Sequence, residues 1–586
     1  MMRALAIGRK YARPSRRATV CALRAWAPSL CLIFVASAQA QEAARQPGFD
    51  PRQIERSFKP LQSDRSRRGD PDIPVPRAQR AEASRDKTPL FQLKSVSVEG
   101  AITIESSVIT ASYAAYIGKT VSKADLAAMA DVVSEIYRAA GYHLSRAIVP
   151  PQDVRDGHIR LRVIEGSITD VALKGNGAER FGIGALLAPV AEERPSRRAT
   201  LERQLLLVND RPGVRIVDTA LEEIGAASGH FRLIVTVETW GVYAAQGVDT
   251  FGSPTVGPWE ALSTMAFNSY GVAGDSLLLN LSTVPDQVRE LQFGQLSYDA
   301  PVGSSGVRLG GSALYSDVWP GDERRLLDTH TLIETYELRG SFVPLETRRS
   351  TLWLTASSSF SDVSEHDAFG FDYRDHLRYL SLTADYKLQD DFAGWNYVTL
   401  TLRQGLDILG ASQKWDTISS REGALPGFSL IDLSFTRLQT LSDVWSVKLA
   451  ASGQWASGPL LLSQQFYLGD AAYGPGYYNG DNGFFGLAEL RYDQTLPYPS
   501  VKGYQVYGFI DRGTVWSYDS NGVTLSLSSV GAGVRFFLLE QMQAGVGFAV
   551  PLHLDTTANN VRDVRVLFSL TNSFKFCPER PGMRCL

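Results

Sequence analysis

Few side chains in this sequence are spaced for covalent or metal chemistry. The seven histidines are scattered, and none makes a His-x-x-x-His metal pair. No serine sits in a Gly-x-Ser-x-Gly elbow, and no glycine-rich loop of the Gly-x-x-x-x-Gly-Lys-Ser/Thr kind could cradle a phosphate. The expectation is no enzyme, no cofactor and no metal. One acidic residue stands out instead. The segment "YGFIDRGTVW", Tyr507–Trp516, has the aromatic and β-branched content of a strand, yet Asp511 sits at its centre with Arg512 beside it. A carboxylate there is tolerated where the strand turns one face to water. It can then hold a neighbouring segment through charge-assisted hydrogen bonds.

The elements that must position Asp511 follow from the rest of the chain. At 586 residues it exceeds one ordinary domain. Charged residues make up 21%, a balance that excludes a helical membrane protein and does not suggest disorder. Four cysteines are too few for a disulfide scaffold. Arg3, Arg9, Lys10, Arg13, Arg16, Arg17 and Arg24 precede the apolar run "AWAPSLCLIFVASAQA", which ends in Ala38-Gln39-Ala40. This pattern predicts a secretory signal peptide over 1–40. Its removal takes away seven positive charges and leaves a net charge of about −10.

Residues 41–62 hold one short helix in "GFDPRQIERSFKPLQ", with Asp50 as N-cap, Pro51 in its first turn, and Ile54, Phe58 and Leu61 as an apolar stripe. Residues 63–89, rich in Arg, Asp, Pro and Ser, read as a flexible linker. Two modules of the order β-α-α-β-β follow, over 90–166 and 167–238. In the first, Ser122 and Asp125 form a capping box and Gly141 stops the helix. Each module is small and should expose a strand edge. In the first that edge carries Leu144, Arg146 and Ile148, where a partner strand could add.

From 239 to 576 the helical periods vanish. Segments such as "SLLLNLSTV", "STLWLTASSSFS" and "VRVLFSLTNSF" alternate apolar with small or polar residues, the pattern of a transmembrane β-barrel. Sixteen strands are expected. Gaps after even-numbered strands are brief ("PLETRR", "LSD", "LEQ"), whereas several after odd ones are long ("DVWPGDERRLLDTH", "SDVSEHDAFGFDYRDH"). Short periplasmic turns and long external loops produce that asymmetry. The fold class is therefore a membrane all-β protein: a 16-stranded outer-membrane barrel preceded by two periplasmic modules and a plug helix. On the thirteenth strand Tyr504, Val506, Gly508, Ile510 and Trp516 then face lipid, and Gln505, Tyr507, Phe509, Asp511 and Gly513 face the lumen.

The longest external gap, Ser457 to Gly483, is glycine-rich enough to fold back into the barrel. "SQQFYLGD", "GPGYYNGD", "FFGLAELRYD" and "FIDRG", in this order, resemble the C-terminal half of the two-partner secretion transporters (TpsB family; ShlB/FhaC/HecB-type haemolysin secretion/activation proteins). The two modules resemble that family's POTRA domains, and "DPRQIERSFKP" its plug helix. The resemblance implies export of a large TpsA-type adhesin or haemolysin across the outer membrane. The POTRA domains would capture the unfolded partner and the pore would pass it in extended form. Implied contacts are that secreted protein, outer-membrane lipid and, during biogenesis, the barrel-assembly machinery; nucleic acid is not expected. A barrel-assembly insertase and a passive porin are the alternatives.

One departure concerns the loop tip. The family's tip reads Val-Arg-Gly-Tyr, with its arginine pairing to the strand aspartate. Here the tetrad is Gly474, Pro475, Gly476 and Tyr477, and proline brings neither charge nor backbone donor. The motif Phe509, Asp511, Gly513 is intact, so Asp511 is expected to take bonds from loop-tip groups such as the Gly476 amide, the Tyr477 hydroxyl or Asn479. A second departure is the tail 577–586. Its Cys577 and Cys585 could close a small disulfide loop or stay as two thiols.

Overall fold

The computed structural model describes residues 54–55, 57–58, 86–554 and 563–576, apart from a few single or paired positions. The signal peptide, Asp50, Pro51, Leu61, most of the linker, Cys577 and Cys585 lie outside the described residues.

The first module opens with a strand at Pro89–Gln92 that pairs with Thr120–Ser122. Its main sheet places His158–Ile164 between Ser95–Glu99, which runs parallel to it, and Arg146–Ile148, which runs antiparallel. The helix Lys123–Ala139 covers that sheet. The Ser122 amide donates to Asp125 Oδ2 at 2.9 Å and the Asp125 amide to Ser122 Oγ at 3.3 Å, the reciprocal cap read from the sequence. The second module repeats the plan: His230–Thr239 lies between Ser167–Lys174 and Val214–Glu223, under the helices Ile183–Glu192 and Arg198–Asn209.

One segment departs from the sequence reading. The edge expected to carry Leu144, Arg146 and Ile148 is a strand only over Arg146–Ile148. Tyr142 to Ser145 turn instead into the junction between modules, because Leu144 finds an apolar seat there. Leu144 is 1% exposed and belongs to the core of the second module.

Sixteen strands close the barrel, from Val242–Asp249 to Arg565–Phe576, and the last pairs antiparallel with the first from Ser569↔Asp249 to Phe576↔Val242. On the thirteenth strand, Val501–Trp516, Val506, Ile510, Arg512 and Trp516 are exposed while Gln505, Phe509, Asp511 and Val515 are buried. Brief turns such as 347–349 and 539–541 follow even-numbered strands. One external gap is shorter than expected. The seventh and eighth strands, Ser350–His366 and Asp372–Gln389, extend through most of "SDVSEHDAFGFDYRDH". Outward polar residues there satisfy one another beyond the lipid: Asp362 accepts from His376 at 2.8 Å and Arg378 at 2.7 Å.

The second module is bolted to the barrel's periplasmic turns. Arg203 donates to the carbonyls of Val343 at 2.6 Å and Ser305 at 3.1 Å. Arg180 donates to Ser269 at 2.7 Å and lies 4.3 Å over the Tyr270 ring. Val343 itself is part of the module's apolar core.

Candidate functional site: the barrel lumen and its two occupants

The sixth external loop does fold into the lumen. It leaves the eleventh strand, Trp445–Ala456, and forms a small antiparallel hairpin of Phe466–Asp470 and Gly474–Gly480 before rejoining the wall at Asn482. Phe466, Leu468 and Tyr478 pack on Val515 and Leu527, lumenal residues of strands thirteen and fourteen.

The three motif residues each meet this loop, at successive heights. Phe509 packs with Ala472, Ala549 and Leu567. Asp511, 2% exposed, accepts from the Ser529 amide at 2.9 Å and the Ser529 hydroxyl at 2.7 Å, and the backbone amide of Ala471 faces the same carboxylate. A side chain at Gly513 would collide with Leu468 Cδ1 and come within 3.1 Å of the Phe484 carbonyl. Phe509, Asp511 and Gly513 are thus a stack, a hydrogen-bond acceptor and a gap, all serving one ascending segment, Leu468 to Ala472.

The donors on Asp511 differ from those expected. Gly476, Tyr477 and Asn479 lie further round the turn: Tyr477 packs against Tyr473 and Tyr478 with ring centres 4.8 and 5.1 Å away, and Asn479 binds Gln465. The turn itself is closed by Asp470 Oδ1, which accepts from the Ala472 and Tyr473 amides at 2.9 Å each. That Asx turn aims the Ala471 amide at the strand. Gly474 and Gly476 take the positive φ of 84° and 73° that the turn requires.

The cation next to the tip comes from the wall. Arg565, at the outer end of the sixteenth strand, donates to the carbonyls of Thr250 and Gly252. A Cβ on Gly474 would sit 2.8 Å from its Nη1. The tip is therefore seated at Gly474 on the seam where the barrel closes.

A charged clasp that sequence reasoning missed holds the loop's base. Asp481 is fully buried and binds Arg421 of the fifth external loop. It also accepts from the Leu460 amide at 2.9 Å and the Tyr518 amide at 3.0 Å, and Arg421 reaches Asp519 at 2.7 Å. Three external loops meet in this pair. In the sequence "NGDNG" reads as an ordinary turn; an arginine inside a long external loop was the one available signal.

The second occupant is the N-terminal helix. Ile54 and Phe58, 2% and 0% exposed, pack in the lumen against Leu262, Leu291, Phe293, Leu314 and Ile333. Phe58 stacks on Phe293 with ring centres 5.8 Å apart, and Gln295 donates to Glu55 at 2.6 Å. Of the proposed plug residues, Ile54 and Phe58 are brought together inside the pore, and Leu61 lies outside the described residues.

The proposed docking edge is only partly open. Arg146–Ile148 is an edge strand. Leu144, however, is sealed in the module junction, and Arg146 is tied to Glu223 of the second module at 2.7 and 2.9 Å. Of the three residues, Ile148 is left on an unengaged edge.

A sixteen-stranded barrel with β-α-α-β-β modules on its short-turn side, a lumenal helix and an inserted loop defines an outer-membrane transporter with periplasmic POTRA domains. Residues 91–166 match the ShlB-type POTRA domain, and residues 374–536 match the haemolysin secretion/activation protein ShlB/FhaC/HecB. The heme/hemopexin transporter protein HuxB of Haemophilus influenzae is 24% identical over 484 residues, covering 78% of this chain and 82% of that protein. The solved structure of CdiB from Escherichia coli superposes with a TM-score of 0.69 at 18% identity, over 89% of this chain and 97% of the other. CdiB from Acinetobacter baumannii gives 0.60 at 16% identity, again over 89% of this chain and 97% of the other. In sequence and fold the chain is similar to the two-partner secretion transporters, and its barrel lies in the outer membrane with the POTRA domains in the periplasm.

Proposed function

We propose that this transporter exports one large exoprotein, of the adhesin or haemolysin type, captured unfolded by the POTRA domains and passed through the pore in extended form. The observation that carries this reading is the doubly occupied lumen. Both occupants are held by side-chain contacts and a few hydrogen bonds, without being strands of the wall, so each can leave while the barrel stays closed. A passive porin needs no removable contents and no paired periplasmic modules. The capture surface is the unpaired edge around Ile148, where main-chain hydrogen bonding gives affinity with little demand on sequence. The folding outside of the released protein draws the chain forward, since no nucleotide is available in the periplasm.

The test is deletion of the gene followed by analysis of the medium and the outer membrane. Loss of a single large protein from the medium, with other barrels still assembled, is the expected result. A general failure of barrel assembly would instead make the chain an insertase.

A further inference from the structure

An outer-membrane barrel lumen is polar because water fills it. The inner half of the wall of strands twelve to fourteen follows that rule, while Val515 and Leu527 in its outer half are covered by the sixth loop. Glu489 binds Arg535 at 3.0 Å, Arg535 reaches Gln505 at 2.6 Å, and Gln505 donates to Asp493 at 2.6 Å. The outer half of the wall made by strands two to seven does not follow it. Leu262, Leu291, Phe293, Leu314, Ile333 and Val363 point inward there and form one apolar cluster, covered by Ile54 and Phe58. In register, Leu262, Phe293, Ile333 and Val363 lie along one lumenal row with the small Ser282 and Ser316 between them, and Leu291 and Leu314 flank that row, so the apolar groups form one stripe with serines set into it.

Resting on the export reading above, we propose that this stripe is a transit site. It would receive apolar side chains of the extended exported polypeptide once the plug helix has left, so that plug and cargo compete for one surface. An apolar stripe left bare in a water-filled channel is unfavourable in proportion to its area, so the vacated seat selects an occupant with apolar side chains. The plug shows what fits: an aliphatic and an aromatic group presented from one side of a narrow element, Phe58 stacking on Phe293. A strand with alternating apolar residues presents such groups on one side, about 6.6 Å apart.

The experiment uses the full mature chain carrying Phe58→Ala, reconstituted in planar lipid bilayers. Two synthetic peptides serve as probes, one alternating valine and threonine between terminal lysines, the other with serine in place of each valine. The valine peptide should give long current blocks and the serine peptide brief ones. Adding Phe293→Ser or Leu314→Ser should shorten the valine blocks to the serine level, whereas Ser452→Ala on the eleventh strand, outside the stripe, should not. Equal blocks by both peptides, or valine blocks that survive both wall substitutions, would mean the stripe serves only to seat the plug. Should Phe293→Ser fail to assemble, Leu314→Ser and the peptide comparison on the unaltered stripe decide. Export is scored separately, by the exoprotein in the medium of cells carrying the unmodified chain. Its persistence after gene deletion would sink the export reading, whereas normal export with equal blocks sinks only the transit site.

Discussion

Leu468 of the sixth loop lies on the bare face of Gly513 of the thirteenth strand, so closely that any Cβ at 513 would take the space its Cδ1 fills. The glycine is there for the loop. Gly513→Val should push Leu468 off the strand and release the loop while leaving the barrel closed. Proteolysis of intact cells should then cut within 457–481, and single-channel conductance should rise. Unchanged protection would show that the close approach carries no restraint.

Asp511 holds the same segment by a different force. Asp511→Ala leaves the Ser529 amide and hydroxyl and the Ala471 amide facing a missing acceptor. A buried donor left unsatisfied costs about 1–3 kcal/mol. The loop should open more often in Asp511→Ala than in Asp511→Asn, which keeps one acceptor oxygen. Hydrogen exchange at Ala471–Tyr473 measures the difference, and equal exchange in the two variants would remove the acceptor role.

The Arg421–Asp481 pair should be costly to break from either side. Removing one member leaves the other charge buried, and such losses are about 3–5 kcal/mol. Arg421→Ala and Asp481→Ala should each loosen the fifth, sixth and seventh external loops together, and the double variant should be less than additive. Limited proteolysis of all three loops reads this out; cleavage confined to one loop would show that the clasp is local.

Phe58→Ala removes the aromatic group that fills the stripe. Truncating a buried phenylalanine costs about 3–5 kcal/mol, here charged against plug docking. Basal conductance should therefore rise while the heat-modifiable barrel band is unchanged on gels. A closed channel in this variant would assign the block to the sixth loop alone.

His143, between the modules, has both ring nitrogens buried without a hydrogen-bond partner among the described residues. Burial, with Arg198 adding a like charge, lowers its pKa from 6.5 to about 4. The unfolded chain takes up this proton at the ordinary value and the folded junction only near the lowered one. The stabilising contribution is thus complete above about pH 6.5 and declines as the pH falls toward 4. Protease sensitivity between the modules should rise over that window in the native protein and stay flat in His143→Phe. An identical pH profile in both would place the titration elsewhere.

The barrel and the modules could be read from the sequence because each strand or helix declares its own period. Inward placement of Asp511 followed from simple alternation, and Ile54 and Phe58 from helical spacing. The partners of Asp511 did not follow. Ser529 is legible in the hairpin, since pairing Trp516 with Thr524 fixes the register back to Asp511 opposite Ser529. Ala471 was not, because its amide is aimed by the Asp470 turn, which tertiary packing places. Leu144 misled for a related reason: an alternating run looks the same whether it ends on an open edge or in a neighbour's core. The seventh and eighth strands outran expectation because paired polar residues above the lipid imitate a loop.

The grip of Arg203 and Arg180 on the turns around Ser269, Ser305 and Val343 has a mechanical corollary. Those turns join the very staves whose upper halves cradle Phe58. A tilt of the second module, such as a tug from a bound chain below, must therefore lever the cradle itself, and the opposite staves carrying the inserted hairpin receive that motion only through the hoop of the cylinder.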